Sequence, residues 1–469
     1  MTDLRPAHTG TIVLGSKPVS FHHEAMLLLI DHARHQISWT PHYSPSNLAI
    51  SAHLLGIDKV VSESLTDAGD VQSSDFLGPL PMEISEQIID TLWDDRESLL
   101  ACALTCRSWL LRSRYHLFHI IHIRKAQHLR VFSRMLLSAP HIVDLARELH
   151  VYHALDPAYT CTLSLFATML AGRLSHIQHL RLERDYSVGP RPLPLPGRFF
   201  SALSGFGSVI KLSLYMLQFS TFADLRKLIC ALPNISDLRC IYLTWTTMGP
   251  VQPQAQREDR THRPRFTSLH LDMRVEMATL ADWLLSDTIL TGLDKLVLSF
   301  VDIENVERLD RMTHAAGRSL RHFSVDFRSD QGKKADAARW LIAGQFLAPC
   351  TVLESLRVRF LQGVLDPGSW AEALFSAVQS TSIRRVTLGV SMWRMPVIQQ
   401  EFARMANVIS RPQFAHLREL EFEWTGFNRM PEDWRRKYLL RLGMNETKLL
   451  LHGQWRHSSD VEIRHLQWT

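Results

Sequence analysis

The side chains best suited to chemistry in this chain are its 24 histidines and six cysteines. His116, His119 and His122 follow one another at i, i+3 and i+6, and two imidazoles one helical turn apart can hold zinc. No nearby cysteine or carboxylate completes that set, and His176 with His179 fares no better. These histidines read as polar rim, and no metal site is expected. Cys102 and Cys106 lie one helical turn apart without forming a CxxC pair, and both read as small apolar fillers. There is no GxSxG elbow, no HExxH pair and no phosphate-cradling glycine loop. No catalytic residue and no cofactor is therefore expected. A triad dispersed along the chain leaves no local signature, so an enzymatic reading survives only as a third alternative.

What remains is the chemistry of recognition, and it depends on strands. The pattern apolar, two residues, apolar, one residue, apolar recurs ten times. It reads Ala146-Leu149-Val151, Ile177-Leu180-Leu182, Val209-Leu212-Leu214, Leu238-Ile241-Leu243 and Phe266-Leu269-Leu271. It continues as Leu293-Leu296-Leu298, Leu320-Phe323-Val325, Leu353-Leu356-Val358, Ile383-Val386-Leu388 and Leu417-Leu420-Phe422. Successive middle positions are 27 to 34 residues apart. Alternation at the end of each triplet predicts a strand, and the near-constant step predicts a repeat. Helix-like stretches at 221–230, 302–315, 336–347, 370–378 and 398–409 fall between the strands. A doubly wound open sheet would also alternate strand and helix, but it does not demand a constant period.

On each strand the residues following the second and third apolar positions should share one face. Early in the array they include Tyr152, Arg181, Glu183, Tyr215 and Tyr242; later they include Asp326, Arg357, Arg359, Glu421 and Glu423. A mixed aromatic and charged strip suits protein recognition better than a small-molecule pocket. Of these, Tyr152, Tyr215, Tyr242, Arg357 and Arg359 are the candidate substrate-binding residues. Asp326 is the nearest acid to the two arginines, so at least one guanidinium should stay available to a carboxylate or phosphorylated side chain.

Residues 80–118 have a different rhythm. Pro81 fits a first helical turn, and Ile84, Ile88, Ile89 and Leu92 form one apolar face. Asp94 with Glu97 has capping-box spacing and should open a second helix carrying Leu99, Leu100, Ala103 and Leu104 inward. A third helix follows through Cys106, Trp109, Leu110 and Leu117. Three such helices make a core that is marginal alone, so the unit wants a partner surface.

The whole chain of 469 residues is 46% apolar and 21% charged, with a net charge of +5 spread along its length. No dense basic block interleaved with aromatics points to nucleic acid, and no stretch approaches membrane-spanning length. Dispersed cysteines fit a reduced compartment, cytoplasm or nucleus. Residues 1–75 read as a mostly disordered leader with one weak helix near 24–36. The segment 189–197 is a proline-rich excursion, 248–265 a disordered insertion and 329–334 a charged tip. Pro431, followed by two acids and closed by Gly443, predicts a helix over 431–442 that caps the last repeat.

At Leu80-Pro81, Glu83-Ile84, Ile88-Ile89-Asp90, Leu92, Asp94-Asp95, Ser98-Leu99 and Cys106-Arg107-Ser108-Trp109 the sequence resembles the F-box family, particularly the version abundant in mushroom-forming fungi. Thr105 departs from the valine usual there, and its hydroxyl should bond a carbonyl one turn back. The repeats resemble the leucine-rich-repeat family, although they run longer than its usual step and lack a regular asparagine ladder. The resemblances imply an α/β fold: a three-helix F-box at 76–122, a leucine-rich-repeat-like solenoid at 123–424, and a capping segment at 425–469. In the solenoid, parallel strands would line the concave side and helices the convex side. They further imply a non-catalytic substrate receptor of an SCF-type cullin–RING ubiquitin ligase, with the adaptor subunit, the cullin and an unknown protein substrate as partners. Leu80, Pro81, Ile84, Ile88, Leu92, Leu99 and Trp109 would meet the adaptor. The rival reading is an F-box and repeat scaffold acting outside a ligase.

Overall fold

The computed structural model describes residues 81–153, 162–184, 191–247, 263–272, 277–286, 289–302, 305–328, 345–361, 374–391, 411–425 and 451–453. Leu80, residues 1–75, the insertion over 248–262, the tip at 329–334 and the helices expected at 398–409 and 431–442 lie outside them. Of the helix expected at 336–347, only a 3-10 turn at Gln345–Leu347 is described. The chain divides into two units, Met1–His119 and Ile120–Thr469.

Among the described residues of the first unit three helices follow one another: α1 (Met82–Thr91), α2 (Arg96–Thr105) and α3 (Arg107–His119). The Pro81 carbonyl accepts from the Ile84 and Ser85 N–H groups, both at 3.1 Å, which starts α1 without a side-chain cap. The expected Asp94 cap lies one residue further on. Asp95 is the N-cap of α2, its carboxylate accepting from the Ser98 N–H at 3.1 Å and the Ser98 hydroxyl at 2.7 Å. Asp90 ties α1 to α3, accepting from Arg112 Nε at 2.5 Å and Nη2 at 2.6 Å, with His116 Nε2 at 2.7 Å. The Thr105 hydroxyl donates to the Ala101 carbonyl at 3.0 Å, the partner expected one turn back. Ile89, Leu99, Leu100, Cys102 and Leu117 are buried. Leu104 and Cys106, expected inward, are exposed instead, because α2 turns only its Leu99–Leu100–Cys102 face to the interior.

The second unit is a parallel sheet with intervening helices. In chain order its elements begin β1 (Ile120–Ile123), α4 (Ala126–Ser138), β2 (Glu148–His153), α5 (Thr162–Leu170), β3 (His179–Arg184), α6 (Gly197–Leu203) and β4 (Lys211–Tyr215). Next come β5 (Gln218–Thr221), α7 (Phe222–Cys230), β6 (Asp237–Ile241), β7 (Thr244–Thr247), β8 (Ser268–Asp272), α8 (Met277–Ser286), β9 (Lys295–Asp302) and α9 (Val306–Ala316). The last are β10 (His322–Arg328), β11 (Ser355–Leu361), β12 (Arg385–Ser391), β13 (Glu419–Thr425) and β14 (Leu451–Gly453). Twelve strands form one sheet, ordered β1-β2-β3-β4-β6-β8-β9-β10-β11-β12-β13-β14, while β5 and β7 pair separately. Each crossover steps the same way, so the right-handedness of parallel connections sends every helix to one side. This is a solenoid-like α/β repeat with helices on the convex side.

Register shows why the apolar triplets matter. Leu149 pairs with Leu180, Leu180 with Leu212, Leu269 with Leu296, Leu296 with Phe323 and Phe323 with Leu356. All are essentially solvent-free. A fully buried leucine contributes about 1.5–3 kcal/mol relative to an exposed one, so this ladder fixes each strand's facing. In the fourth repeat the ladder residue is Leu238, not Ile241, since Leu238 pairs with Leu212 and with Leu269. Its triplet is Ile235-Leu238-Cys240, all three buried. The array also begins earlier than expected: Ile121 of β1 pairs with Leu149, so Ile120–Ile123 belong to the sheet.

The proline-rich excursion packs against the array. Within 191–196, Leu193 is buried and its N–H donates to the Gln218 carbonyl at 2.8 Å. Met216 and Tyr242 hold φ of +52° and +53° just after β4 and β6. Those left-handed residues redirect the chain into β5 and β7.

Candidate functional site

On the face of the sheet opposite the helices, alternate residues form rows set by strand register. At the start of the array one row carries His122, His150, Arg181 and Ser213, directly paired in turn. A second row, two residues further along each strand, carries Tyr152, Glu183 and Tyr215. A third row, two residues earlier, brings Glu148 opposite His179.

These rows converge on Glu148. Its Oε2 lies 3.1 Å from His150 Nε2 and 3.1 Å from His179 Nδ1. His179 Nε2 lies 2.9 Å from the Ser213 hydroxyl. The three donor atoms of Glu148, His150 and His179 all fall within 4.8 Å of one another, the one such grouping among the described residues. Bonds from His150 and His179 hold the Glu148 carboxyl well below the usual carboxylate range. Burial pushes His150 below the ordinary imidazole value. His122 packs edge-on to His150 at 4.8 Å between ring centroids.

Alongside runs an aromatic and cationic strip. Tyr215 has the Arg181 guanidinium 4.2 Å and the Arg239 guanidinium 5.4 Å from its ring centroid. Arg181 also pairs with Glu183 at 2.7 Å. Arg124 lies 5.5 Å from the centroid of Tyr152, whose hydroxyl is 3.4 Å from His122 Nδ1. Burial raises the phenols of Tyr152 and Tyr215. Further along, burial pushes His270 down to about 3, and its Nε2 lies 3.4 Å from the Ser299 hydroxyl.

Tyr152 and Tyr215 thus sit in one row, two strands apart, as the triplets predict. Tyr242 does not join them. It follows the end of β6 with left-handed φ, and Arg239 and Ile241 take the positions expected for Tyr242 and Thr244. The misassignment comes from Cys240, which serves as the strand's second apolar residue.

Arg357 and Arg359 share a face as expected, but both guanidiniums engage Asp326. Arg359 grips it through two parallel bonds, from Nε at 3.0 Å and from Nη2. Arg357 Nη1 reaches the same carboxylate and the Ser324 hydroxyl, each at 3.2 Å. Arg359 and Asp326 are 4% and 3% exposed. The uncommitted guanidinium expected from the sequence is therefore not what forms; one carboxylate, desolvated by the sheet, collects both cations.

In the helical unit, Pro81, Ile84 and Ile88 lie at i, i+3 and i+7 and are all exposed, so one side of α1 presents them together. Leu92 and Trp109 are half-buried. Leu99, at 2% exposed, packs inside and is not available to a partner in this arrangement. Leu104, expected inward, adds further exposed apolar surface, as do Met82, Trp93 and Leu111, which residue spacing did not single out.

The Glu148 cluster escaped sequence reasoning altogether. Spacing pairs His179 with His176 three residues away, whereas its neighbours in the fold are Glu148 and His150 on β2 and Ser213 on β4. Only exact strand register could have found it. A scan against protein-family models finds no match, and a search of curated proteins finds none.

Proposed function

We propose that this chain is the substrate-recognition subunit of an SCF-type cullin–RING ubiquitin ligase. In this reading the unit of α1, α2 and α3 is an F-box that docks the adaptor, and the leucine-rich-repeat-like sheet binds the target. The receptor does no chemistry itself; it raises the local concentration of target lysines near a ubiquitin-charged enzyme.

One observation carries the reading. Ten large apolar side chains are exposed among the described residues, and six of them, Met82, Ile84, Ile88, Trp93, Leu104 and Leu111, fall within 82–111. This concentration of exposed apolar side chains supports an interaction role for the unit. It coincides with the stretch whose residue order resembles an F-box. On the sheet, the Tyr152, Tyr215, Arg181 and Arg239 strip has the aromatic and arginine composition favoured where proteins bind. A scaffold role outside a ligase would use the same surfaces. Co-purification of the tagged chain from its native cell separates the two readings. Recovery of adaptor together with cullin supports the ligase, and partners without either support the scaffold.

A further inference from the structure

Glu148, His150 and His179 meet at one point on the open face of the sheet, and two of the three are imidazoles. We propose that these residues bind a divalent first-row transition ion, with zinc the best match. The ligand atoms are Glu148 Oε2, His150 Nε2 and His179 Nδ1. The inference stands apart from the adaptor reading.

Three features carry it. The first is geometry. Around tetrahedral zinc, with bonds of about 2.0–2.2 Å, ligand atoms lie roughly 3.3 Å apart. Both nitrogen–Oε2 separations already stand at 3.1 Å. The second is positioning. Glu148 and His150 alternate onto the same face of β2, and His179 is the direct cross-strand partner of Glu148. The buried pairs Leu149–Leu180 and Val151–Leu182 lock that register, so the ligands are held by core packing rather than by a loop.

The third is proton bookkeeping. His150 Nε2 and His179 Nδ1 both face the same carboxylate oxygen, at 3.1 Å each, so an ion seated between them meets one ring nitrogen of each imidazole while the opposite ring nitrogen keeps the hydrogen. Ser213 accommodates both tautomers of His179. Its buried hydroxyl, 2.9 Å from His179 Nε2, donates when that nitrogen is bare and accepts when it is protonated. With the ion bound, the His179 Nε2–H donates to that hydroxyl, which orients the ring as the outer partner of a ligating histidine does. Two nitrogens and one carboxylate favour zinc or a neighbouring transition ion over magnesium or calcium, which prefer oxygen alone. Three protein donors leave a position for water or for a side-chain donor of a bound protein.

The test is titration of chelator-treated full-length chain with zinc chloride, followed by calorimetry, and with cobalt(II), followed by its visible absorption. The expected result is one saturable ion per chain, with magnesium failing to compete. Replacing His150→Ala and His179→Ala together should weaken zinc binding at least about 100-fold, and Ser213→Ala about 10-fold or more. Glu148→Gln, which preserves shape but removes the charge, should weaken zinc binding, with circular dichroism checking that the variant is folded. No saturable zinc binding by the folded wild type overturns the proposal. So does zinc affinity that survives the double histidine substitution, or equal competition by magnesium. Should the double variant fail to fold, the cobalt spectrum of the wild type decides: a spectrum identical to the hydrated ion refutes the site.

Discussion

Arg359 and Gly389 face each other across β11 and β12, and the stem of Arg359 fills the space that a Cβ on Gly389 would need. The missing side chain gives the Arg359 stem room beside β12 while the guanidinium grips Asp326 on the other side, on β10. A buried fork of this kind is costly to break, because losing one partner strands the other charge away from water.

Gly389→Ala should therefore displace Arg359 and destabilise the sheet by roughly 1–3 kcal/mol, the usual range for overpacking. Thermal unfolding monitored by circular dichroism measures it. An unchanged midpoint would mean that the Arg359 stem can shift without loosening its grip on Asp326.

Leu212, Leu296 and Leu356 occupy ladder positions with no exposed surface. Truncating any one to alanine should cost about 2–5 kcal/mol, combining lost transfer energy with a cavity. Denaturant titration of each variant measures the loss. A cost below about 1 kcal/mol at all three would show that the array is far more plastic than its register implies.

Much of this ladder was legible in the sequence, because strand alternation and a recurring step are written in apolar residue types alone. The exceptions have physical causes. Cys240 fills a core position usually held by an aliphatic residue, so the decoy Ile241-Leu243 displaced the fourth triplet by three residues and carried Tyr242 with it. Ile121 and Ile123 sit directly after a helix, and their alternation is too short to announce a strand. Asp94 and Asp95 are both good caps, and only the Ser98 contacts choose between them. The Arg357–Asp326–Arg359 group and the Glu148 cluster were harder still. Each depends on which side chains meet across strands about one repeat apart, and spacing along one strand says nothing about that.

Asp90 gives a pH signature. Its bonds to Arg112 and His116 hold its carboxyl at about 2, below its ordinary 3.8. Because the folded value is depressed, the stabilisation is present in full above about 4 and is lost as pH falls toward 2. Asp90→Asn should lower the melting temperature at neutral pH and flatten its fall across that acid window. Parallel pH profiles for the variant and wild type would show that the Asp90 bonds add nothing to stability.

The central claim is that the helical unit docks an adaptor through the exposed side of α1. The most direct measurement is equilibrium binding of the purified full-length chain to the purified adaptor subunit, comparing wild type with Ile84→Glu/Ile88→Glu. Both isoleucines are more than two-fifths exposed, so the fold should tolerate the change, which circular dichroism can verify. The account predicts saturable binding by wild type and a loss of roughly 2–4 kcal/mol in the variant, about 30-fold to several hundred-fold in affinity. A folded wild type that does not bind the adaptor, or a folded variant that binds it equally well, would contradict the account.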